Sequence, residues 1–137
     1  MATDGFSRSL RQALSLATAR ALAREASEVE ASDLWLALLR TESQAALLFA
    51  AAGGEVPAAA NDENVSVSRR IPYARSLCIA LTRARADAQA LHDETVGTAH
   101  AAVAISAVVL SKIPNGAAIV ANMRQLIHDD ATWRDEV

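Results

Sequence analysis

The sequence has few of the residues that usually carry chemistry. Its 137 positions hold one cysteine, three prolines, five glycines and five aromatic side chains. A lone cysteine, Cys78, cannot close an internal disulfide; this fits a reducing compartment, and a cytoplasmic location is expected. Basic residues are not in excess, since 13 Lys and Arg face 16 Asp and Glu for a formal net charge of −3. A nucleic-acid-binding domain is expected to show the opposite balance, so nucleic acid is an unlikely partner. Long apolar runs are missing as well. The longest, Ala101 to Leu110, is roughly half of the ~20 residues that cross a bilayer, so no membrane span is expected. Asp4, Arg8 and Arg11 precede any sustained apolar stretch, which does not fit a secretory signal.

What is abundant is alanine, with 32 copies, and leucine, with 15. Both favour helix, whereas β-branched strand formers gather in only two short patches. The composition therefore predicts an all-α fold, and the length suits one compact domain with a real core.

The chain also resembles itself. Shifted by 67 residues, Phe6 to Leu39 aligns without a gap on Tyr73 to Ser106. Identities include Arg8/Arg75, Ser9/Ser76, Leu10/Leu77, Ala13/Ala80, Leu14/Leu81, Ala17/Ala84, Ala21/Ala88 and Val29/Val96. Alanine identities are cheap in so alanine-rich a chain. Their order is more informative: in each copy an aromatic residue precedes an apolar stripe at helical spacing.

Copy one reads as a helix from Ser7 to Glu25, with Ser7 as N-cap and Phe6 as a staple just outside it. A second, buried helix covers Ala31 to Arg40, and a third Ser43 to Ala52, capped by Ser43 and stopped by Gly53-Gly54. Pro57 is expected to open one further turn. A polar linker, about 61–72, separates the repeats, which cover about 6–60 and about 73–130. Copy two repeats the long helix over Tyr73 to Leu91 and the buried one over Thr98 to Leu110, with Thr98 as its cap. A break at Ile113 to Gly116 precedes a last helix from Ala117 to Ile127.

These residues resemble a family. Phe6-Ser7, Val29 with the run Leu34 to Leu39, the Ser43 to Gly53 helix, and Val96-Gly97-Thr98-Ala99-His100 are similar, in that order, to the double-repeat N-terminal domain of the Clp AAA+ unfoldases. The resemblance spans roughly Phe6 to Ile105 and fades after Ser106. It implies a pseudo-twofold bundle of about eight helices, made of two tandem four-helix repeats. It also implies a non-enzymatic module that binds adaptors, substrate proteins or peptides for ATP-dependent proteolysis. No Gly-x-x-x-x-Gly-Lys-Ser/Thr loop is present to cradle ATP phosphates, so the ring is not part of these residues, and a stand-alone adaptor or decoy is one form of the expectation. The candidate partner-binding residues are Phe6, Ser7, Arg8, Ser32, Asp33, Tyr73, Arg75 and His100.

Some family members bind phosphorylated arginine in each repeat through the hydroxyl after the aromatic and the glutamate of Gly-Thr-Glu-His. Carried over, the hydroxyl falls on Ser7 and Ala74, and the glutamate on Ser32 and Ala99. Losing a charge-assisted hydrogen bond of about 1.5–3 kcal/mol weakens such a ligand roughly 10- to 150-fold per site, so phosphoarginine binding is predicted to be absent. Asp33, one position on, points about 100° away around the helix.

The remaining candidates read as structural or solvated. His92, His100, His128 and Cys78 follow no zinc-ligand spacing, and no metal or cofactor is expected. Asp62-Glu63, Asp93-Glu94 and Asp129-Asp130 fall in connectors or at a helix end. The alternative function, a small helical regulator of nucleic acid, would rest on arginines gathered at the starts of the two long helices, with Arg8 and Arg75 as counterparts.

Overall fold

A computed structural model describes residues 5–40, 43–56 and 70–134. The described residues form six α-helices and one short 3-10 helix, with no strand longer than a single bridge. The all-α expectation holds. Among the described residues the helices number six α and one 3-10 against the eight expected, and the turn expected at Pro57 and most of the linker lie outside the described residues.

Helix α1 (Arg8–Ala23) buries Leu10, Ala13, Leu14, Ala17 and Ala21, the stripe read from the sequence. Ser7 stands outside it in extended conformation, and its Oγ accepts from the Leu10 amide at 3.1 Å. Helix α4 (Arg75–Ala90) keeps the 67-residue offset at both ends and buries Leu77, Ala80, Leu81, Ala84 and Ala88. Ala74 takes the N-cap place there without a side chain to fill it.

Both long helices end in the same turn. Glu25 and His92, again 67 apart, are left-handed, with φ of 58° and 62°. The amides of Glu25 and Ala26 donate to Leu22 and Ala21; those of His92 and Asp93 donate to Gln89 and Ala88. This double closure satisfies carbonyls that the helix end leaves open, and it usually places glycine at the left-handed residue.

Helices α2 (Ala31–Arg40) and α5 (Thr98–Val109) pack on each other at the centre, α1 against α2 and α4 against α5. Leu34, Leu38, Val103 and Ile105 are fully buried there. Each such side chain contributes about 1.5–3 kcal/mol of burial before entropy is counted. The alanines Ala99, Ala101, Ala102 and Ala104 supply the small surfaces that let neighbouring helices approach α5 closely. Val103, Ile105, Val108 and Val109, strand formers by propensity, thus lie in helix.

Helix α3 (Gln44–Ala51) sets Phe49 edge-on to Trp35, ring centroids 5.0 Å apart. Ser43 precedes α3, but its hydroxyl donates back to the Leu38 carbonyl at 3.1 Å instead of capping. The two copies part company here. The counterpart of Gln44 is Ser111, yet α6 (Gly116–Asp129) starts only after a turn closed by left-handed Asn115. A Cβ on Gly116 would stand 1.9 Å from the Leu110 carbonyl oxygen, so only glycine fits that start. The 3-10 helix Ala131–Arg134 completes the described chain, with Trp133 against the core.

Candidate functional site

The sequence places an aromatic residue just before each long helix, and the structure shows where those aromatics go. Phe6 forms a one-residue parallel bridge with Val96, and Tyr73 forms one with Val29. The Ser7 amide donates to Val96 O at 2.9 Å and the Val96 amide to Gly5 O at 2.7 Å. At the counterpart, the Ala74 amide donates to Val29 O at 2.8 Å and the Val29 amide to Pro72 O at 2.9 Å. Each copy therefore enters its long helix at the corner where the other copy turns into its buried helix.

This reciprocity sorts the candidate residues into two corners. Phe6, Ser7 and Arg8 meet the start of α5 with His100; Tyr73 and Arg75 meet the start of α2 with Ser32 and Asp33. Arg8 and Arg75 consequently belong to different corners.

At the first corner Phe6 is buried with the Arg85 guanidinium over its ring, 5.0 Å from the centroid. Ser7 is buried and caps α1. His100, fully buried, is the third residue of α5, and its Nδ1 accepts from the Gly97 amide at 2.9 Å. That bond fixes the tautomer, so Nε2 carries the proton and donates to Asp93 Oδ2 at 2.8 Å. Gly97, in extended conformation, is the N-cap residue, and buried Thr98 is the first helical residue instead of the cap the sequence suggested. With no side chain on Gly97, the closing bond comes from His100 alone. Asp93 also accepts from Arg134, whose Nη1 lies 2.9 Å from both carboxylate oxygens and 3.3 Å from Leu91 O.

At the second corner Asp33 plays the part of His100. It is buried at the third position of α2, and its Oδ2 accepts from the Glu30 amide at 2.9 Å. Its partner is Arg24, which donates through Nε at 3.0 Å and through Nη2. The hydrogen bond to Asp33 is the main cause that raises the Arg24 pKa further. Arg24 remains about 44% exposed and reaches Glu30 at 3.4 Å, an outer pair screened by water. Tyr73 is half-buried, and that burial pushes its phenol pKa up. Arg8, Ser32 and Arg75 are exposed.

The eight candidates thus divide. Arg8, Ser32 and Arg75 face solvent, Tyr73 is half-buried, and Phe6, Ser7, Asp33 and His100 are interior groups already engaged in packing or hydrogen bonding. Two residues that shape the corners were not singled out from the sequence, Arg24 and Arg134, and Asp93, read there as connector charge, instead accepts from His100 and Arg134. Arg24 lies nine residues from its carboxylate and Arg134 forty-one from its own, spacings that no helical or turn pattern marks. Cys78 is half-buried, with Sγ 3.8 Å from Tyr73 O. His92 and His128 are exposed. Among the described residues no three His, Cys, Asp or Glu side chains gather as metal ligands, and no helix is long and apolar enough to cross a membrane.

The profile of the Clp repeat (R) N-terminal domain family matches residues 5–113. Among solved structures, the N-terminal domain of the caseinolytic protease associated chaperone ClpD from Arabidopsis thaliana is similar, with a TM-score of 0.63. The alignment covers 93% of this chain and 97% of that one at 15% identity, a level at which the likeness concerns the fold. Among curated protein sequences none matches.

Proposed function

Because the chain belongs to the Clp repeat N-terminal domain family, we propose that it is a docking module, one that receives a protein or peptide and does no chemistry on it. The family match over residues 5–113 carries this reading. The two corners support it: each offers an exposed arginine beside a hydrogen-bonded junction, and at the second Ser32 adds a hydroxyl. Backbone already held by hydrogen bonds loses less entropy on docking. In this reading the module is a cytoplasmic adaptor or decoy for substrates of ATP-dependent proteolysis. It is built from two repeats, about 6–60 and about 73–130, joined by a linker at about 61–72.

Phosphoarginine is outside its ligands. Ser32 and Ala99 carry no charge, Ala99 is buried, and the Ser7 hydroxyl is committed to the α1 cap. Asp33, the nearest carboxylate, is held by Arg24 and the Glu30 amide. Calorimetry with phosphoarginine is expected to show no heat of binding; micromolar affinity would contradict this.

The docking reading is tested by immobilising the chain and identifying proteins retained from lysate, with the Arg8→Glu/Arg75→Glu double variant beside it. Retention of specific proteolysis components or substrates by the wild type, lost in the variant, is expected. An identical protein set on both, or nothing specific on either, overturns it.

A further inference from the structure

The two corners are built to one plan but closed by different parts of the chain. At the second corner the guanidinium is local: Arg24 ends the turn after α1 and reaches Asp33. At the first corner the residue at the place of Arg24 is Leu91, and the third residue of the buried helix is a histidine. The acid has moved into the connector as Asp93, and the guanidinium arrives from the 3-10 helix at the far end of the sequence. Arg134 Nη1 even rests on the main-chain carbonyl of Leu91, the residue that replaces Arg24.

The contacts form one unbroken series. Arg134 holds Asp93, Asp93 accepts from His100, His100 accepts from the Gly97 amide, and neighbouring Val96 exchanges hydrogen bonds with Gly5 and Ser7. The anchor is narrow: a single Nη makes all three bonds, while the buried Nε of Arg134 has no acceptor among the described residues. A guanidinium seated through both Nη and Nε would hold harder. The helix bearing it is also short, tied by Asp130, which accepts from the Thr132 amide at 3.0 Å and hydroxyl at 2.6 Å, and by Trp133 against the core.

From these contacts we infer that residues 131–134 are a releasable strap. The strap fastens the first corner and couples the Phe6–Val96 junction to the end of the domain. Docking at that junction and release of Arg134 then bias one another, because a coupling between two sites acts in both directions. The second corner, closed locally by Arg24, is outside this coupling.

Native-state hydrogen exchange on the full chain reads the coupling directly. In the Arg134→Gln variant the Ser7, Val96 and Gly97 amides should exchange about tenfold faster or more, the effect of losing a charged hydrogen bond. The Val29 and Ala74 amides of the second corner should be unchanged. Asp93→Asn should give the same pattern, and the double variant should add little to either single change. Unchanged exchange at Val96 and Gly97 in Arg134→Gln overturns the inference, as does equal acceleration at Val29 and Ala74. If Arg134→Gln proves too unstable to compare, Arg134→Lys keeps the charge and should show the same corner-specific change in weaker form; loss of protection throughout the chain in that variant also overturns it.

Discussion

Truncating the two helix-start aromatics should have unequal consequences, although the sequence presents Phe6 and Tyr73 as equivalents. Phe6 is only 4% exposed, bridges to Val96 and lies beneath Arg85. Replacing a buried phenylalanine by alanine costs about 3–5 kcal/mol through lost transfer energy and the cavity left behind. Removing the ring from Arg85 adds about 0.5–1 kcal/mol. Phe6→Ala should therefore destabilise by about 4 kcal/mol, a large share of the roughly 5–15 kcal/mol that holds a domain folded. Tyr73 is half-buried, with no cation over its ring among the described contacts, so Tyr73→Ala should cost about half as much. Phe6→Leu, which keeps most of the volume, should cost about 1 kcal/mol. Urea unfolding followed by far-UV circular dichroism and tryptophan fluorescence measures all three. A Tyr73→Ala loss equal to that of Phe6→Ala, or a Phe6→Ala loss under about 1 kcal/mol, would refute the account of how the two corners are packed.

Five further outcomes follow from other contacts. Asp33→Asn keeps the size of the side chain but removes the charge facing Arg24, and should cost about 1–2 kcal/mol in urea unfolding, discounted because Arg24 is largely solvated. Glu25→Gly and His92→Gly should each stabilise by up to about 1 kcal/mol, since both residues hold left-handed backbone angles that glycine adopts without penalty; destabilisation by either would show that its side chain matters more than its backbone. Gly116→Ala should cost about 3 kcal/mol or more, because its Cβ meets backbone at Leu110. Gly54→Ala, whose Cβ meets the Phe49 ring at 2.3 Å, should cost less and alter the fluorescence of Trp35. The Asp130 pKa is lowered by its bonds to Thr132, so its contribution is present above the ordinary carboxylate range and is lost as pH falls through the lowered value. Carboxyl NMR should find its midpoint below that range, with the Trp133 signals shifting over the same interval.

Much of this arrangement was legible in the sequence because helical burial repeats locally. The stripe Leu10, Ala13, Leu14, Ala17 and its counterpart from Leu77 fix two helices and their inward faces. The same offset marks Glu25 and His92 as equivalent turns, though neither is the glycine that would have announced it. The break at Ile113 to Gly116 and the helix after it were legible as well, from the Pro-Asn-Gly run, but the reason that glycine is required there was not. Asn115 and Gly116 impose a turn dictated by the nearby Leu110 carbonyl, and that contact belongs to the folded chain. The corners were hidden for a related reason. Asp33 and His100 are unlike side chains doing the same work, each satisfying the amide before its helix, and their partners Arg24, Asp93 and Arg134 meet them only after packing.

The docking reading is tested most directly by an amide chemical-shift map of the isotopically labelled chain on addition of a protein identified by capture. Shifts should concentrate around Gly5 to Arg8 with Val96, or around Ser32 with Tyr73 to Arg75, and should weaken when the adjacent arginine is reversed in charge. Shifts confined to α3 and α6, with both corners silent, would contradict the account.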